Sequence, residues 1–232
     1  MRKKSLTSAA LLTEKIRETP QAFHFVFTIE DGKVGKSFTR PGQYTVISIP
    51  SGNENYFAMS SSPREPTWSF LIKAGAPLTN VLVTMNPGDA VTVTSARGGG
   101  FRMGTGHGKN ILLFAAGTGI APLRSALRWI MEKRQDYGDV TLFYGARNPD
   151  EFAYAHEFSD WKNGGVEIIQ TVSNQAHPAW KGLFGHVQRH IADSCKTENT
   201  IALVCGMEGM VRDVSDRLKA LGLPQNRILT NY

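Results

Sequence analysis

The chain has 232 residues, of which 41% are hydrophobic and 20% charged, a balance typical of a globular protein and not of a disordered or fibrous one. Its net charge of +6 comes without a basic stripe interleaved with aromatic residues, which argues against a nucleic-acid partner and favours an acidic protein partner. The two cysteines are too few for an iron–sulfur cluster, and no apolar run reaches the roughly 18 residues of a membrane helix.

The first half of the chain is predicted to form short strands separated by turn residues. Strands are expected at 6–12, 23–27, 44–49, 67–73 and 90–94, and one short helix at 77–85. The segment 6–12 follows three basic residues, as a signal peptide does, but polar residues dilute it and charges follow at once, so we interpret it as the first strand. Many short strands with frequent turns predict an N-terminal antiparallel β-barrel or β-sandwich.

The second half alternates strands with helices after a glycine-dense segment at 98–108. Strands are expected at 111–115, 140–144, 166–171, 201–205 and 227–229, and helices at 122–134, 150–161 and 207–221. This alternation predicts a C-terminal α/β domain with a doubly wound parallel sheet. We place the boundary between the two domains in the glycine-dense segment, which gives a barrel domain at 1–103 and an α/β domain at 104–232.

The clearest motif is Gly117-Thr118-Gly119-Ile120-Ala121-Pro122, between a buried strand and an amphipathic helix. Helix N-termini bind phosphate, since their amides are unpaired and carry partial positive charge. Gly117 and Gly119 let the backbone approach a pyrophosphate, and Pro122 suits the first helical turn. A tight strand-to-helix turn of any function could also use these glycines, but the order of strand, loop and helix favours a nucleotide site.

This motif, ending in proline, resembles the NAD(P)-binding signature of the ferredoxin–NADP reductase family. Segments 143–147, 204–207 and 222–228 also resemble that family and keep its order. The resemblance implies that Gly145 and Arg147 receive the adenosine ribose. Arg147 would pair with a 2′-phosphate, stack on adenine or face solvent, so the choice between NAD and NADP stays open.

The resemblance also gives a role to Cys205, Gly206 and Met207, which match the Cys-Gly motif beneath the nicotinamide. The sulfur of Cys205 would lie near nicotinamide C4 and flavin N5 and align hydride transfer. The alternative is a buried small hydrophobic residue at the end of a strand. The other cysteine, Cys195, has no such context and is expected to be inert.

The flavin motif of the family is Arg-x-Tyr-Ser/Thr, and the corresponding segment here departs from it. Asn55 stands for the arginine, Phe57 for the tyrosine and Ala58 for the hydroxyl residue that reaches flavin N5; the segment is completed by Tyr56, Met59 and Ser60. Phe57 can still stack on the flavin ring, but the charged contact to the flavin pyrophosphate is lost. The alternative is a plain barrel strand.

Two further stretches resemble the flavin site of the family. Ile72, Lys73 and Gly75, followed by Thr79 at the start of a short helix, match its pyrophosphate side, and Lys73 is our candidate to replace the missing arginine. Tyr232 ends the sequence, where some family members carry an aromatic residue that covers the flavin face; a frayed terminus is the alternative.

The sequence therefore predicts a reductase that passes hydride from NAD(P)H to FAD and then electrons to a separate acidic carrier protein or partner subunit. The predicted catalytic positions are Cys205, Ala58 and Tyr232. Since unpaired cysteines suit a reducing compartment, we expect it in the cytoplasm. The rival interpretation is a non-catalytic nucleotide-binding or regulatory module with the same fold. His186 and His190 are spaced as two metal ligands on one helix, but no third ligand accompanies them, so we expect no metal site.

Overall fold

The computed structural model describes residues 6–174, 178–192 and 195–231, and their strands form two sheets of six. One sheet is antiparallel and curls into a nearly closed barrel, and the other is parallel with helices on both faces. This confirms the fold class predicted from the sequence. The chain passes from the first sheet to the second between Thr94 and Asn110, and the predicted domain boundary lies in this connection.

The barrel sheet has the strand order β4-β3-β6-β1-β2-β5. Its aromatic side chains alternate inward, and Phe25, Phe27 and Phe70 are completely buried in its core. The short helix α2 was predicted and the short helix α1 was not, and the edge strand β4 was considered only as the alternative to a flavin motif. The elements are β1 Thr7–Arg17, β2 Ala22–Ile29, α1 Gly32–Gly35, β3 Tyr44–Ser48, β4 Glu54–Ala58, β5 Trp68–Lys73, α2 Pro77–Leu82 and β6 Ala90–Thr94.

The parallel sheet has the order β10-β9-β8-β7-β11-β12, so the chain starts in the middle and winds outward in both directions. Helices α3 and α4 cover one face and α5 covers the other, each over its own apolar core. The elements are β7 Asn110–Ala116, α3 Ile120–Met131, β8 Val140–Ala146, α4 Phe158–Asn163, β9 Val166–Val172, β10 Leu183–Phe184, β11 Thr200–Cys205, α5 Glu208–Ala220 and β12 Ile228–Thr230.

The helix predicted at 150–161 is wrong over its first half. The chain makes two separate 3₁₀ turns there, and α4 begins only at Phe158. Between the turns Tyr154 takes a left-handed conformation with φ of 61°, which ends any helix. Its backbone N–H donates to the Glu18 carboxylate at 2.8 Å, so a distant residue of the barrel replaces the helical hydrogen bond.

None of the helices within the described ranges is both long enough and apolar enough to cross a membrane.

Candidate functional site

A cavity of about 830 Å³ opens at the carboxyl ends of strands β7, β8 and β9. Open parallel sheets bind ligands at this edge, next to the point where the strand order reverses. Six residues predicted from the sequence to bind a cofactor line it: Lys73, Gly117, Thr118, Gly145, Arg147 and Met207. The structure thus brings the predicted pyrophosphate, ribose and nicotinamide segments to one cavity, together with one lysine of the barrel.

The glycine loop that begins the site is a 3₁₀ turn, Gly117–Gly119, leading directly into α3. Gly117 has a φ of 53°, and a Cβ atom added to it would meet nothing within 4 Å, so space for a ligand lies above it. A Cβ atom on Gly119 would instead overlap the carbonyl oxygen of Cys205. One glycine therefore leaves room for a phosphate, and the other lets the loop lie against β11. Pro122 is buried in α3.

A buried tyrosine fixes the loop from below. The hydroxyl of Tyr144 donates to the carbonyl oxygen of Gly117 at 3.3 Å and accepts from the backbone N–H of Ala153 at 3.1 Å. Burial raises the pKa of Tyr144, so the group stays a phenol and keeps its donor hydrogen. Sequence reasoning gave this residue no role, since a tyrosine in a strand is ordinary.

The predicted ribose end of the cavity lies where β8 and β9 end. Gly145 leaves little room, because an added Cβ atom would lie 3.0 Å from a methyl carbon of Val187. Arg147 is exposed at the rim. Ser173 and Asn174, which sequence reasoning missed, also line this end. They could have been found from the sequence, because they directly follow a strand of the parallel sheet.

Cys205 is buried at the end of β11 and packs into the apolar core beneath α3. Burial raises the pKa of its thiol to about 12, so it is protonated and neutral at ordinary pH. Beyond this strand Met207 and Met210 line the cavity, and 72% of the surface of Met207 is exposed. Gly206 joins Cys205 to Met207 and leaves no space for a side chain, since a Cβ atom would lie 2.8 Å from the sulfur of Met210.

The segment that resembles the flavin motif is strand β4 and its tail. Tyr56 is 63% exposed, and its ring meets that of Tyr44 edge to face at 5.5 Å. Asn55 is exposed, and Phe57 and Ala58 are half-buried. These four residues offer aromatic surface for stacking but few polar groups that could form hydrogen bonds to a cofactor. The next two, Met59 and Ser60, are completely buried, and their backbone N–H groups are already used in hydrogen bonds within the barrel.

In the second stretch that resembles the flavin site, Ile72 and Thr79 have structural roles, whereas Gly75 and Lys73 lie at the surface. Ile72 is buried in the barrel core, and the Thr79 hydroxyl accepts from the backbone N–H of Ala76 at 3.0 Å, which caps α2. Gly75 has a φ of 134° with open space where a side chain would lie. Lys73 is exposed and reaches across to the α/β domain, where it lies 3.7 Å from the Glu151 carboxylate.

These residues fit a flavin nucleotide. Phe57 supplies a surface on which a ring can stack, Gly75 leaves open space beside the barrel, and Lys73 brings a cation to the edge of the nucleotide cavity.

The predicted C-terminal cover, Tyr232, lies outside the described residues. The two histidines differ in setting: His186 is exposed, and His190 lies 2.9 Å from the carbonyl oxygen of Phe184. The described ranges contain no cluster of three or more side chains that could hold a metal ion.

The sequence is similar to a family of nicotinamide-dependent enzymes. Residues 113–216 match the family described as oxidoreductase NAD-binding domain. Over 214 residues the chain is 33% identical to the gamma subunit of sulfhydrogenase 1 from Pyrococcus furiosus, which covers 89% of this chain and 73% of that subunit. It is 31% identical to a chloroplastic ferredoxin–NADP reductase of Oryza sativa subsp. indica, over 61% of this chain and 43% of that protein.

Solved structures share the fold over the whole chain. The ferredoxin reductase in carbazole 1,9a-dioxygenase superposes with a TM-score of 0.84 at 20% identity, over 100% of this chain and 70% of that one. A ferredoxin NADP⁺ reductase from Neisseria gonorrhoeae with bound FAD and NADP superposes with a TM-score of 0.82 at 18% identity, over 98% of both chains. The two-domain arrangement described above is therefore common to this chain and to those reductases.

Proposed function

Since this chain belongs to the ferredoxin–NADP reductase-like family of flavin-dependent oxidoreductases that use FAD and NAD(P)H, we propose that it transfers a hydride from NAD(P)H to FAD and passes the electrons to a separate protein. One observation carries the proposal: the glycine loop at the start of α3, with open space above Gly117, lies in the same cavity as Lys73 of the barrel. A nucleotide on the α/β domain would thus lie beside the domain that carries the flavin motif.

In this proposal the α/β domain binds NAD(P)H by its phosphates. The amides at Gly117–Gly119 and the positive end of α3 hold the pyrophosphate, and the Tyr144 hydroxyl keeps the loop in place. Arg147 lies at the ribose end, where its guanidinium would pair with a 2′-phosphate or stack on adenine. Met207 extends into the cavity, and its flexible side chain would cover the bound nucleotide.

The barrel provides the flavin site in the same proposal. FAD, when bound, supplies the chemistry of accepting a hydride and releasing single electrons. Phe57 would stack on the ring, and Ala58 next to it would leave flavin N5 without the hydroxyl that the family motif places there. Lys73 would supply positive charge to the pyrophosphate in place of the arginine of the family motif, where this chain has Asn55. Cys205, as a neutral thiol at the end of β11, contributes packing and not charge.

The electron acceptor is a separate protein in this proposal, because two cysteines cannot hold a cluster within this chain. Two of the relatives point the same way by name: one is a subunit of a sulfhydrogenase, and another is the reductase component of propane 2-monooxygenase from Rhodococcus jostii. The net charge of +6 suits an acidic carrier. Both cysteines are unpaired thiols, which suits the cytoplasm.

The test is an anaerobic absorbance titration of the purified protein, loaded with FAD, by NADH and by NADPH. We expect the flavin band near roughly 450 nm to bleach with one or both nucleotides, and the nucleotide that acts at lower concentration is the preferred one. A protein that binds either nucleotide but takes up no FAD would contradict the proposal. That outcome would instead support a nucleotide-binding module that has lost the flavin chemistry.

A further inference from the structure

We propose that Arg124 and Ser125 are positioning residues that fix the distance between the nucleotide site and the flavin site. Both lie on α3, whose N-terminus holds the nucleotide loop, and both donate to carbonyl oxygens of the flavin-motif tail. We call these two side chains and the two carbonyl groups of Ser60 and Ser61 the interdomain clamp. This inference rests on the function proposed above and assigns to residues outside either cofactor site the task of aligning the two sites.

Arg124 is a buried cation that makes one hydrogen bond to the barrel and two to the α/β domain. Its Nη1 donates to the carbonyl oxygen of Ser60 at 3.0 Å, and its Nε and Nη2 donate to the Glu157 carboxylate at 2.8 and 2.5 Å. The guanidinium lies over the ring of Tyr154 at 4.6 Å. Burial alone would lower the pKa of Arg124, but the hydrogen bonds that it donates to Glu157 raise it, so the guanidinium stays charged. Glu157 and Tyr154 thus hold the guanidinium from the α/β side and aim it at the barrel.

Ser125 makes the second connection, one residue further along α3. Its hydroxyl donates to the carbonyl oxygen of Ser61 at 2.5 Å, and both serines are completely buried. The carbonyl groups of two successive residues are therefore held by two successive side chains of one helix. Such paired bonds define an orientation as well as a distance, which a single bond does not.

The clamp is the buried end of a row of contacts between α3 and the barrel, which we call the seam. Toward the C-terminal end of α3 the seam is exposed to solvent. Arg128 donates to the Glu65 carboxylate at 2.5 Å, with 40% of the arginine side chain exposed. Glu132 accepts from the Ser62 hydroxyl at 3.1 Å and pairs with Arg64. Exposed ion pairs contribute little because water and salt screen them. The buried end of the seam, at Arg124 and Ser125, is the part that fixes geometry.

Stability alone does not account for a buried arginine at this place. Removing a charge from water costs free energy, and well-packed apolar side chains often replace a buried ion pair without loss of stability. What an apolar contact cannot supply is direction. Hydrogen bonds to defined carbonyl groups supply it, and here they link a helix of one domain to a strand tail of the other.

The clamp lies close to both cofactor sites along the chain. Gly119 precedes Arg124 by five residues, which is about 7.5 Å along a helix. Ala58 precedes Ser60 by two residues, which is about 6.6 Å along an extended chain. A displacement of atoms at the clamp would therefore be transmitted to both cofactor sites almost undiminished. Hydride transfer needs reacting atoms within about 3.5 Å, and a misplacement of about 1 Å costs about 100-fold in rate.

The decisive experiment compares three variants of the full chain loaded with FAD: Arg124→Gln, Ser125→Ala and, as a matched control on the same helix and the same seam, Arg128→Gln. The rate of flavin reduction is measured by anaerobic stopped flow at saturating NAD(P)H, with unlabelled nucleotide and with nucleotide deuterated at C4. We expect the first two variants to lose about tenfold or more in reduction rate, because the reacting atoms are misplaced. Their FAD content and nucleotide Kd should stay within about twofold of the wild type.

The isotope effect separates positioning from mere loss of folding. A partly unfolded sample lowers the amplitude of flavin reduction and leaves the isotope effect on the remaining molecules unchanged. Misalignment keeps the amplitude and changes the isotope effect. Should Arg124→Gln fail to fold, Ser125→Ala decides the question, since it deletes one hydroxyl. Rates and isotope effects equal to those of Arg128→Gln would overturn the proposal.

A second measurement does not depend on catalysis. Residual dipolar couplings of the perdeuterated protein report the relative orientation of the two domains in solution. We expect one alignment tensor to fit both domains in the wild type and in Arg128→Gln, and two different tensors in Arg124→Gln and Ser125→Ala. If NAD(P)H does not reduce the wild type, the proposed function fails, but the residual dipolar couplings still test whether the clamp fixes the orientation of the domains. A single shared alignment tensor in all four proteins would refute the role of the clamp.

Discussion

At the residue scale, the two glycines of the nucleotide loop serve opposite needs. Gly117 has a left-handed backbone and open space above it, whereas Gly119 has an ordinary helical φ of −61° and no space at all. Any residue could adopt the backbone of Gly119, so only steric overlap excludes a side chain there. The overlapping atoms are the backbone of Cys205, which cannot move aside as a flexible side chain can.

Replacing Gly119 by alanine should weaken nucleotide binding. The added methyl group must push the loop away from Cys205, and overpacking of this kind costs about 1–3 kcal/mol. We expect the Kd for NAD(P)H, measured by fluorescence titration, to rise by about tenfold. Gly209→Ala in α5 is the control, because nothing lies within 4 Å of its added Cβ atom. Equal affinities in the two variants would show that the contact between loop and β11 does not hold the loop in place.

Cys205 shows how a structure restricts a role suggested by resemblance. Its thiol is buried at the end of β11, and the raised pKa of about 12 keeps it from ionising at neutral pH. It therefore offers no negative charge next to a nicotinamide and no nucleophile. What it does offer is a small, polarisable group between β11 and α3, which is compatible with a role in alignment.

At the element scale, strand β2 and the connection between β8 and α4 are joined by one buried pair. The Nδ1 atom of His24 lies 3.0 Å from the hydroxyl of Tyr154, and the two rings meet edge to face. Glu18 accepts from the backbone N–H of Tyr154, and His24 contacts its hydroxyl, so both the backbone and the side chain of this residue are held. Burial, and then the nearby Arg124, lowers the pKa of His24 to about 3, so the ring is neutral.

The neutral histidine makes stability depend on pH in a defined direction. Its pKa is about 6.5 in the unfolded chain and about 3 in the folded one, so below pH 6.5 only the unfolded chain binds the proton. Stability is therefore lost as pH falls through that window. Between about pH 7 and about pH 5 we expect His24 to account for about 2 kcal/mol of lost unfolding free energy.

The measurement is urea denaturation of wild type and His24→Gln across this pH range. Glutamine can still bond the Tyr154 hydroxyl but does not titrate, so the variant should lose less stability on acidification. Burial raises the pKa of Glu18, which has the opposite effect, but it does so in both proteins and cancels in the difference. His186→Gln, which changes an exposed histidine, should behave as the wild type. Parallel pH profiles for His24→Gln and the wild type would contradict the assignment of a buried neutral ring.

The sequence predicted those elements whose causes are local. The run of apolar residues in β7, the glycines after it and the periodic α3 are each visible in a window of a few residues. The helix at 150–161 was wrong because Tyr154 is held by Glu18 and His24, more than a hundred residues earlier. The interdomain clamp was missed for the same reason. An arginine in an amphipathic helix is expected at the surface, and only the contact with the barrel, which is distant in sequence, buries Arg124.

At the scale of the whole molecule, the barrel and the α/β domain are joined by contacts of α3 with the flavin-motif tail and by contacts of Tyr154 with Glu18 and His24. The sheet of the α/β domain places the nucleotide loop at its edge, and the barrel meets that edge through Lys73 and the flavin-motif tail. Because other reductases share this fold, the identity of the proposed electron acceptor has to be sought in the surface of this chain. The whole-chain feature that bears on it is the net charge of +6.

A positively charged reductase should find an acidic carrier faster at low salt. Opposite charges steer encounters, and the Debye length falls from about 30 Å at 0.01 M to about 3 Å at 1 M ionic strength. With saturating NAD(P)H and an acidic [2Fe–2S] ferredoxin as acceptor, we expect the second-order rate of ferredoxin reduction to fall by about tenfold or more over this range. The control acceptor is a neutral quinone, whose reduction involves the same flavin but no steering and should vary within about twofold. A ferredoxin rate that stays level or rises with salt would show that the basic surface does not select the acceptor, and the partner would then be sought among neutral or basic carriers.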